Sequence, residues 1–218
     1  MAGKHCLLIC IPLLLSLTQC YLLRQGTYLL GYNAQAEPID RLLQGDSLDS
    51  EQQAMLEQVR AIKRFAVEEL GLKQDRNYTR YVAIDKPYLV DVVSACAKDS
   101  FSPHQWRFPF FGAFPYKGYY RRADALKEAQ RLKARDLDVL VRKVDAFSTL
   151  GFFADPVYSF MSGYSVFSLA SLIIHEQTHA TVFVKNEIQF NEELATFVGW
   201  EGALAYIRRY YGTDSDTY

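Results

Sequence analysis

His175, Glu176 and His179 stand together in the run Leu172-Ile173-Ile174-His175-Glu176-Gln177-Thr178-His179-Ala180, with the types and spacing of a metal clamp. A helix turns once in about 3.6 residues, so two histidines four apart lie one above the other and can offer two imidazoles to a single ion. Glu176 follows the first histidine on the same turn. In zinc hydrolases of the HExxH type a carboxylate at that position holds the attacking water and takes its proton, which makes Glu176 the base and not a ligand.

Two imidazoles do not complete a catalytic zinc site, which takes three protein ligands and keeps a further position for water. The remaining histidines are His5, near the start of the chain, and His104, in an expected loop, so a carboxylate is the better third donor. The run Phe190-Asn191-Glu192-Glu193-Leu194-Ala195-Thr196-Phe197 supplies one. Asn191 can cap a new helix, which places Glu192 in its first turn. A helix so placed and packed on the first could aim the Glu192 carboxylate at the two imidazoles. Glu193, one residue on, points about 100° away around the helix.

HEQTH followed by NEELATF resembles the HExxH plus NExxAT pattern of gluzincin metallopeptidases. The resemblance implies Zn2+ held by His175, His179 and Glu192, with Glu176 as general base. It places Thr196 where gluzincins often keep a polar group that hydrogen-bonds a ligand histidine. Further stretches narrow the match: Tyr88 to Ser100, Trp106-Arg107-Phe108-Pro109 with Gly112, Tyr116-Lys117-Gly118-Tyr119-Tyr120, and Ala146 to Pro156. In order and spacing these resemble the bacterial predicted aminopeptidase family of lipoprotein-like zinc proteins, from about Tyr28 onward. That likeness implies an exported metallopeptidase whose substrate is a peptide.

The elements that must position these residues belong to a chain of 218 residues, 50% of them hydrophobic, enough to bury a sizeable core. With a net charge of -1 the chain lacks the basic face of a nucleic-acid binder, so no nucleic-acid partner is expected. Lys4 and the apolar run Cys6 to Leu17 read as a secretion signal over residues 1–20, the run being shorter than the about 20 residues that span a bilayer. Leu17-Thr18-Gln19-Cys20 approximates a lipobox, with Gln19 departing from the small residue expected before the cysteine. Cys20 is then the lipidated residue, and the chain is expected in the bacterial periplasm or anchored to a membrane of the cell envelope through that lipid. Cleavage there leaves Cys96 alone, as a small side chain on an apolar strand; a free Cys20 would allow a Cys20 to Cys96 bridge.

Periodicity predicts helix in the stretch Tyr28 to Gln44, interrupted at Pro38, and a longer helix from Asp49 or Ser50 to Leu70, where Arg60, Lys63 and Arg64 form a solvated face. Strands are expected at Tyr78 to Ile84, Tyr88 to Ala95, Trp106 to Phe111, Ala113 to Tyr119 (the last two flanking Gly112 as a hairpin) and Leu137 to Phe147, with a helix at Ala123 to Lys133. The metal helix should start near Ser165 or Ser168 and run to about Val182. The second should span Asn191 to Tyr210, with Leu194, Phe197, Val198, Leu204 and Ile207 inward. This order predicts an α+β fold, a small mixed or antiparallel sheet packed on helices, with a zincin-type active-site helix and a following glutamate-bearing helix. Residues 21–218 are expected to form a single metallopeptidase-like domain, incomplete at the C-terminus because the proteins it resembles continue beyond Tyr218. The expected activity is peptide-bond hydrolysis by metal-activated water. The rival expectation is a non-catalytic envelope lipoprotein whose structural or vestigial zinc site binds peptides, against which the intact Glu176 speaks.

Overall fold

The computed structural model describes residues 21–108, 112–145, 154–185 and 187–213. Residues 21–35 are helical (α1), and Pro38 forces the preceding backbone out of the helix into a short strand, Glu37–Pro38 (β1). A single turn, Ile39–Leu42 (α2), precedes the long helix Ser50–Glu68 (α3). Asp49 caps α3 reciprocally with Gln52, and its apolar residues return every three or four positions. Then come Arg80–Val82 (β2), Val90–Ala97 (β3), Trp106–Phe108 (β4), Gly112–Phe114 (β5), Tyr116–Tyr119 (β6), the helix Arg122–Lys133 (α4), Leu137–Val144 (β7) and Val157–Tyr158 (β8). A 3-10 turn at Ser159–Gly163 leads to Val166–Thr181 (α5) and Ile188–Tyr210 (α6). The fold is α+β, as the order of elements predicts.

The chain divides into two compact units. One gathers the described residues of Met1–Ala34 and Lys86–Phe147, the other those of Gln35–Asp85 and Ser148–Tyr218.

In the first unit β3 is the central strand of an antiparallel sheet ordered β6, β3, β7, and Val90, Val92, Val93 and Ala95 are buried in it. Val93, Trp106, Tyr119, Ala125 and Leu132 form the core beneath α4. Asp91, fully buried, accepts from the Tyr88 hydroxyl (3.0 Å) and the Arg122 guanidinium (2.8 Å). The strand expected from Ala113 to Tyr119 splits in two. β5 pairs with β4, β6 pairs with β3, and Pro115, which has no N–H to give a ladder, lies at the break. Cys96 is half-buried in β3 as a free thiol.

The second unit carries the metal-ligating candidates. A small mixed sheet, β1, β2, β8, joins Tyr81 to Val157 in parallel register. Leu56, Val59, Ile62 and Ala66 of α3 are buried together with Leu169, Ala170, Ile173 and Ile174 of α5 and Ala203, Tyr206 and Ile207 of α6. Lys63 departs from the expected solvated face. Its ammonium is largely buried and binds the Asp75 carboxylate at 2.6 Å and the Asn77 carbonyl at 2.5 Å, because the segment after α3 folds back over that side of the helix.

Candidate metal centre

Ser165 starts α5 by accepting the Ser168 N–H at 3.1 Å, and the apolar residues of the helix turn inward. His175 and His179 are left half-buried on a neighbouring face, their ring centroids 4.8 Å apart and their planes nearly perpendicular. The rotation of this helix about its own axis is fixed from the other side. Gln177, fully buried, donates to the Lys73 carbonyl (3.1 Å), while the Thr181 hydroxyl accepts from the Lys73 N–H (2.9 Å) and donates to the Gln177 carbonyl (2.8 Å).

The second helix begins earlier than expected, and Asn191 does not cap it. Asn191 is buried inside α6, where its carboxamide accepts from the Val184 N–H (2.9 Å) and donates to the Val184 carbonyl (2.8 Å). It thus clamps the connection between the two helices, and Glu192 sits in the second turn instead of the first. Small residues let α6 close on α5. A Cβ placed on Gly199 would lie 2.7 Å from the Ser171 carbonyl oxygen and 3.1 Å from the His175 Cβ, so no larger residue fits without moving a helix. Phe197, expected inward, is instead 65% exposed. The narrow face that Ala195 and Gly199 present to α5 has no room for it.

This approach brings Glu192 to the histidines. Its carboxylate oxygens lie 3.6 Å from His175 Nε2 and 3.4 Å from His179 Nε2, and the two Nε2 atoms are 3.1 Å apart. Donors set about 2.0–2.1 Å from one tetrahedral ion stand about 3.3 Å from each other, so the three separations fit a single small cation. Among the described residues these three form the only such group, with all ligand atoms within 4.8 Å of one another.

The chain's residues 20–217 match the model of a family described as "Putative aminopeptidase". The chain belongs to this family. Among curated proteins and solved structures no significant match is found. Membership of this family gives the groups around the triad a chemical context.

Burial lowers the pKa of His175, with His179 adding to the effect and Glu192 opposing it, which favours the neutral imidazole that a metal needs. The Glu176 carboxyl is pushed up to about 7, first by burial and then by the negative charges of Asp155, Glu192 and Asp75. A cation held by the triad acts in the opposite direction, because opposite charge favours the ionised form. Asp155 is itself raised to about 6 by burial and by Asp75.

The sequence gives no periodic signal for the groups around Glu176. Asp155 donates its N–H to the Asn77 side chain (3.1 Å), and its carbonyl accepts the Tyr78 N–H (2.6 Å). Tyr78 holds a left-handed φ of 53°, unusual for an aromatic residue, and is buried. Burial raises its phenol well above the ordinary range, and Glu176 is the strongest of the charges acting on it. Tyr78 is therefore a neutral hydroxyl near the expected base. Asn77, in a glycosylation-like triplet, is engaged with Asp75 and Asp155.

Thr196 lies one turn beyond Glu192, exposed. Among the described residues no hydrogen bond joins it to either histidine. Glu193 is not one of the three converging groups; it accepts from Gln189 at 2.8 Å. Cys20 lies outside the described residues. Gly199 was legible in principle, since a glycine within an apolar helical pattern signals close backbone approach.

Proposed function

We propose that the chain is a zinc-dependent aminopeptidase of gluzincin type. The observation that carries this reading is the convergence of His175 Nε2, His179 Nε2 and a Glu192 oxygen on one point, with Glu176 on the turn between the histidines. Two imidazoles and a carboxylate are a donor set that suits zinc and leaves room for water and substrate. Zinc, when bound, would polarise the scissile carbonyl and acidify a water toward a pKa of about 7.

The remaining work falls to the chain's own side chains. Glu176 takes the proton of the attacking water and delivers it to the leaving amine nitrogen, so one carboxylate serves as base and then as acid. Its half-buried setting, with Asp155 and Asp75 as neighbouring carboxylates, raises its proton affinity, and a cation at the triad would lower it again. Tyr78 stays protonated throughout and takes part through hydrogen bonds, not by giving up its proton.

On the same reading Cys20 carries a lipid that holds the chain at a membrane of the cell envelope, which the apolar run before it supports. The test of the catalytic reading is metal content and peptide hydrolysis measured together. About one zinc per chain is expected in the wild type and in Glu176→Gln, with a loss of rate of 100-fold or more in the variant. Equal rates in the two proteins would sink the mechanism, and a folded wild type that binds no zinc would sink the site.

A further inference from the structure

α6 carries two stripes side by side. Glu192, Thr196 and Gly199 recur at four and three residues along one. Glu193, Phe197 and Trp200 do the same along the next, because residues three or four apart share a helix face. In the first stripe Gly199 packs on α5 and Glu192 supplies the metal-facing carboxylate. The second is open to solvent although two of its three residues are large aromatics. Phe197 is 65% exposed and Trp200 54%. Trp200 is braced edge-on by Phe167 of α5, with centroids 4.8 Å apart and planes at 77°, so its face is held in place.

Between the stripes runs an open groove of about 430 Å³ lined by Glu192, Glu193, Thr196, Phe197 and Trp200. Its wall at one end is Glu192, whose oxygens lie 3.4 and 3.6 Å from the histidines, so whatever fills the groove is next to the triad. At the same end stands Glu193, an exposed carboxylate with capacity for a further donor beside Gln189.

We propose that this groove selects the substrate: Phe197 and Trp200 receive a large apolar side chain of the peptide's first residue, and Glu193 takes its free α-amine. The inference rests on the peptidase reading and adds the substrate class to it. A carboxylate at one end and aromatic faces beyond it complement an ammonium group attached to an apolar side chain, and complement neither an acidic nor a glycine-initiated peptide. From Glu193 to Trp200 is about 10 Å along the helix axis, room for one large side chain and its amine. An aromatic or leucyl side chain gains from leaving water here, and a single methylene in an apolar site alters selectivity by about 10- to 200-fold.

The experiment uses the full chain loaded with zinc. Metal content is measured first, then calorimetric binding of phenylalaninamide, leucinamide, alaninamide and N-acetylphenylalaninamide, then hydrolysis of peptides that begin with the same residues. Wild type should bind phenylalaninamide and leucinamide at least ten-fold more tightly than alaninamide, and the acetylated amide at least ten-fold more weakly than phenylalaninamide. Trp200→Ala and Phe197→Ala should each keep full zinc and lose that preference, with the change in KM and not in kcat. Full zinc with equal binding of all four amides, or variants that keep the wild-type preference, would overturn the inference. So would a zinc-loaded wild type that self-associates through this face and becomes monomeric in Trp200→Ala. Zinc and selective binding without any hydrolysis would defeat the peptidase reading while the groove's selectivity stood.

Discussion

Gly199 lies so close to Ser171 that a β-carbon on it would come within 2.7 Å of the Ser171 carbonyl oxygen. The obstacle is helix backbone, which cannot swing aside as a side chain can. Gly199→Ala must therefore push α6 away from α5, and with it Glu192 from the histidines. Overpacking of this kind costs about 1–3 kcal/mol, against a gain of about 1 kcal/mol from helix propensity. The expected outcome is a modest loss of stability in chemical denaturation and at least a ten-fold loss of zinc affinity. Gly202→Ala is the control. Its β-carbon would meet the side chains of Ile174 and Leu70 at 3.0 Å and not the backbone first, so it should disturb the site less.

Lys63 and Asp75 form a largely buried pair at 2.6 Å, and Lys63 also holds the Asn77 carbonyl. Removing the lysine leaves a buried carboxylate whose remaining partners are the Asn77 N–H groups. Lys63→Met should lower stability by about 3 kcal/mol, read from urea midpoints. An unchanged midpoint would show that water reaches Asp75.

Asp155, raised to about 6, weakens the fold as pH rises from about 4 to above 6. A carboxyl with a native pKa above its unfolded value of 3.8 binds more protons when folded. Its contribution is present below pH 3.8 and is lost as pH rises through about 6. Asp155→Asn removes that loss while leaving the backbone bonds to Tyr78 and Asn77 in place. Relative to wild type, the variant should gain on the order of 2–3 kcal/mol between pH 4 and pH 8. Parallel stability curves for the two metal-free proteins would contradict this.

Asn191→Leu deletes both hydrogen bonds to Val184 and leaves a backbone N–H and carbonyl without their partner. A cost of about 1–3 kcal/mol is expected. Faster amide exchange in the connection 182–187 than in wild type would locate that cost, and uniform exchange would place it elsewhere.

Local patterns carried much of this molecule. The capping box at Asp49, the pause at Pro38, the histidine helix behind Ser165 and the carboxylate on the next helix all follow from short-range rules of spacing and capping. Lys63 and Asn191 did not follow, because each has its role decided by a segment that folds back onto it, and a pattern of charges or caps cannot show that return. Phe197 was misplaced for a related reason. Helical periodicity marks an apolar residue as inward, whereas here the glycines and alanines take the inward face and leave the aromatics outside. Tyr78 and Asp155 are joined to Glu176 only through tertiary contact, so no spacing could reveal them.

The clamp of Asn191 on Val184 has a consequence for how an ion would come and go. In small zinc domains the metal closes the chain, and the apoprotein is unfolded. Here side-chain amide bonds and close-packed glycines already hold the hairpin of helices shut, so its conformational entropy is lost before any ligand arrives. An ion would then find its donors waiting, could leave without unravelling them, and could be replaced by another. Occupancy would follow supply as well as affinity, and copper, which binds such donors more strongly than zinc, would be the competitor to keep away.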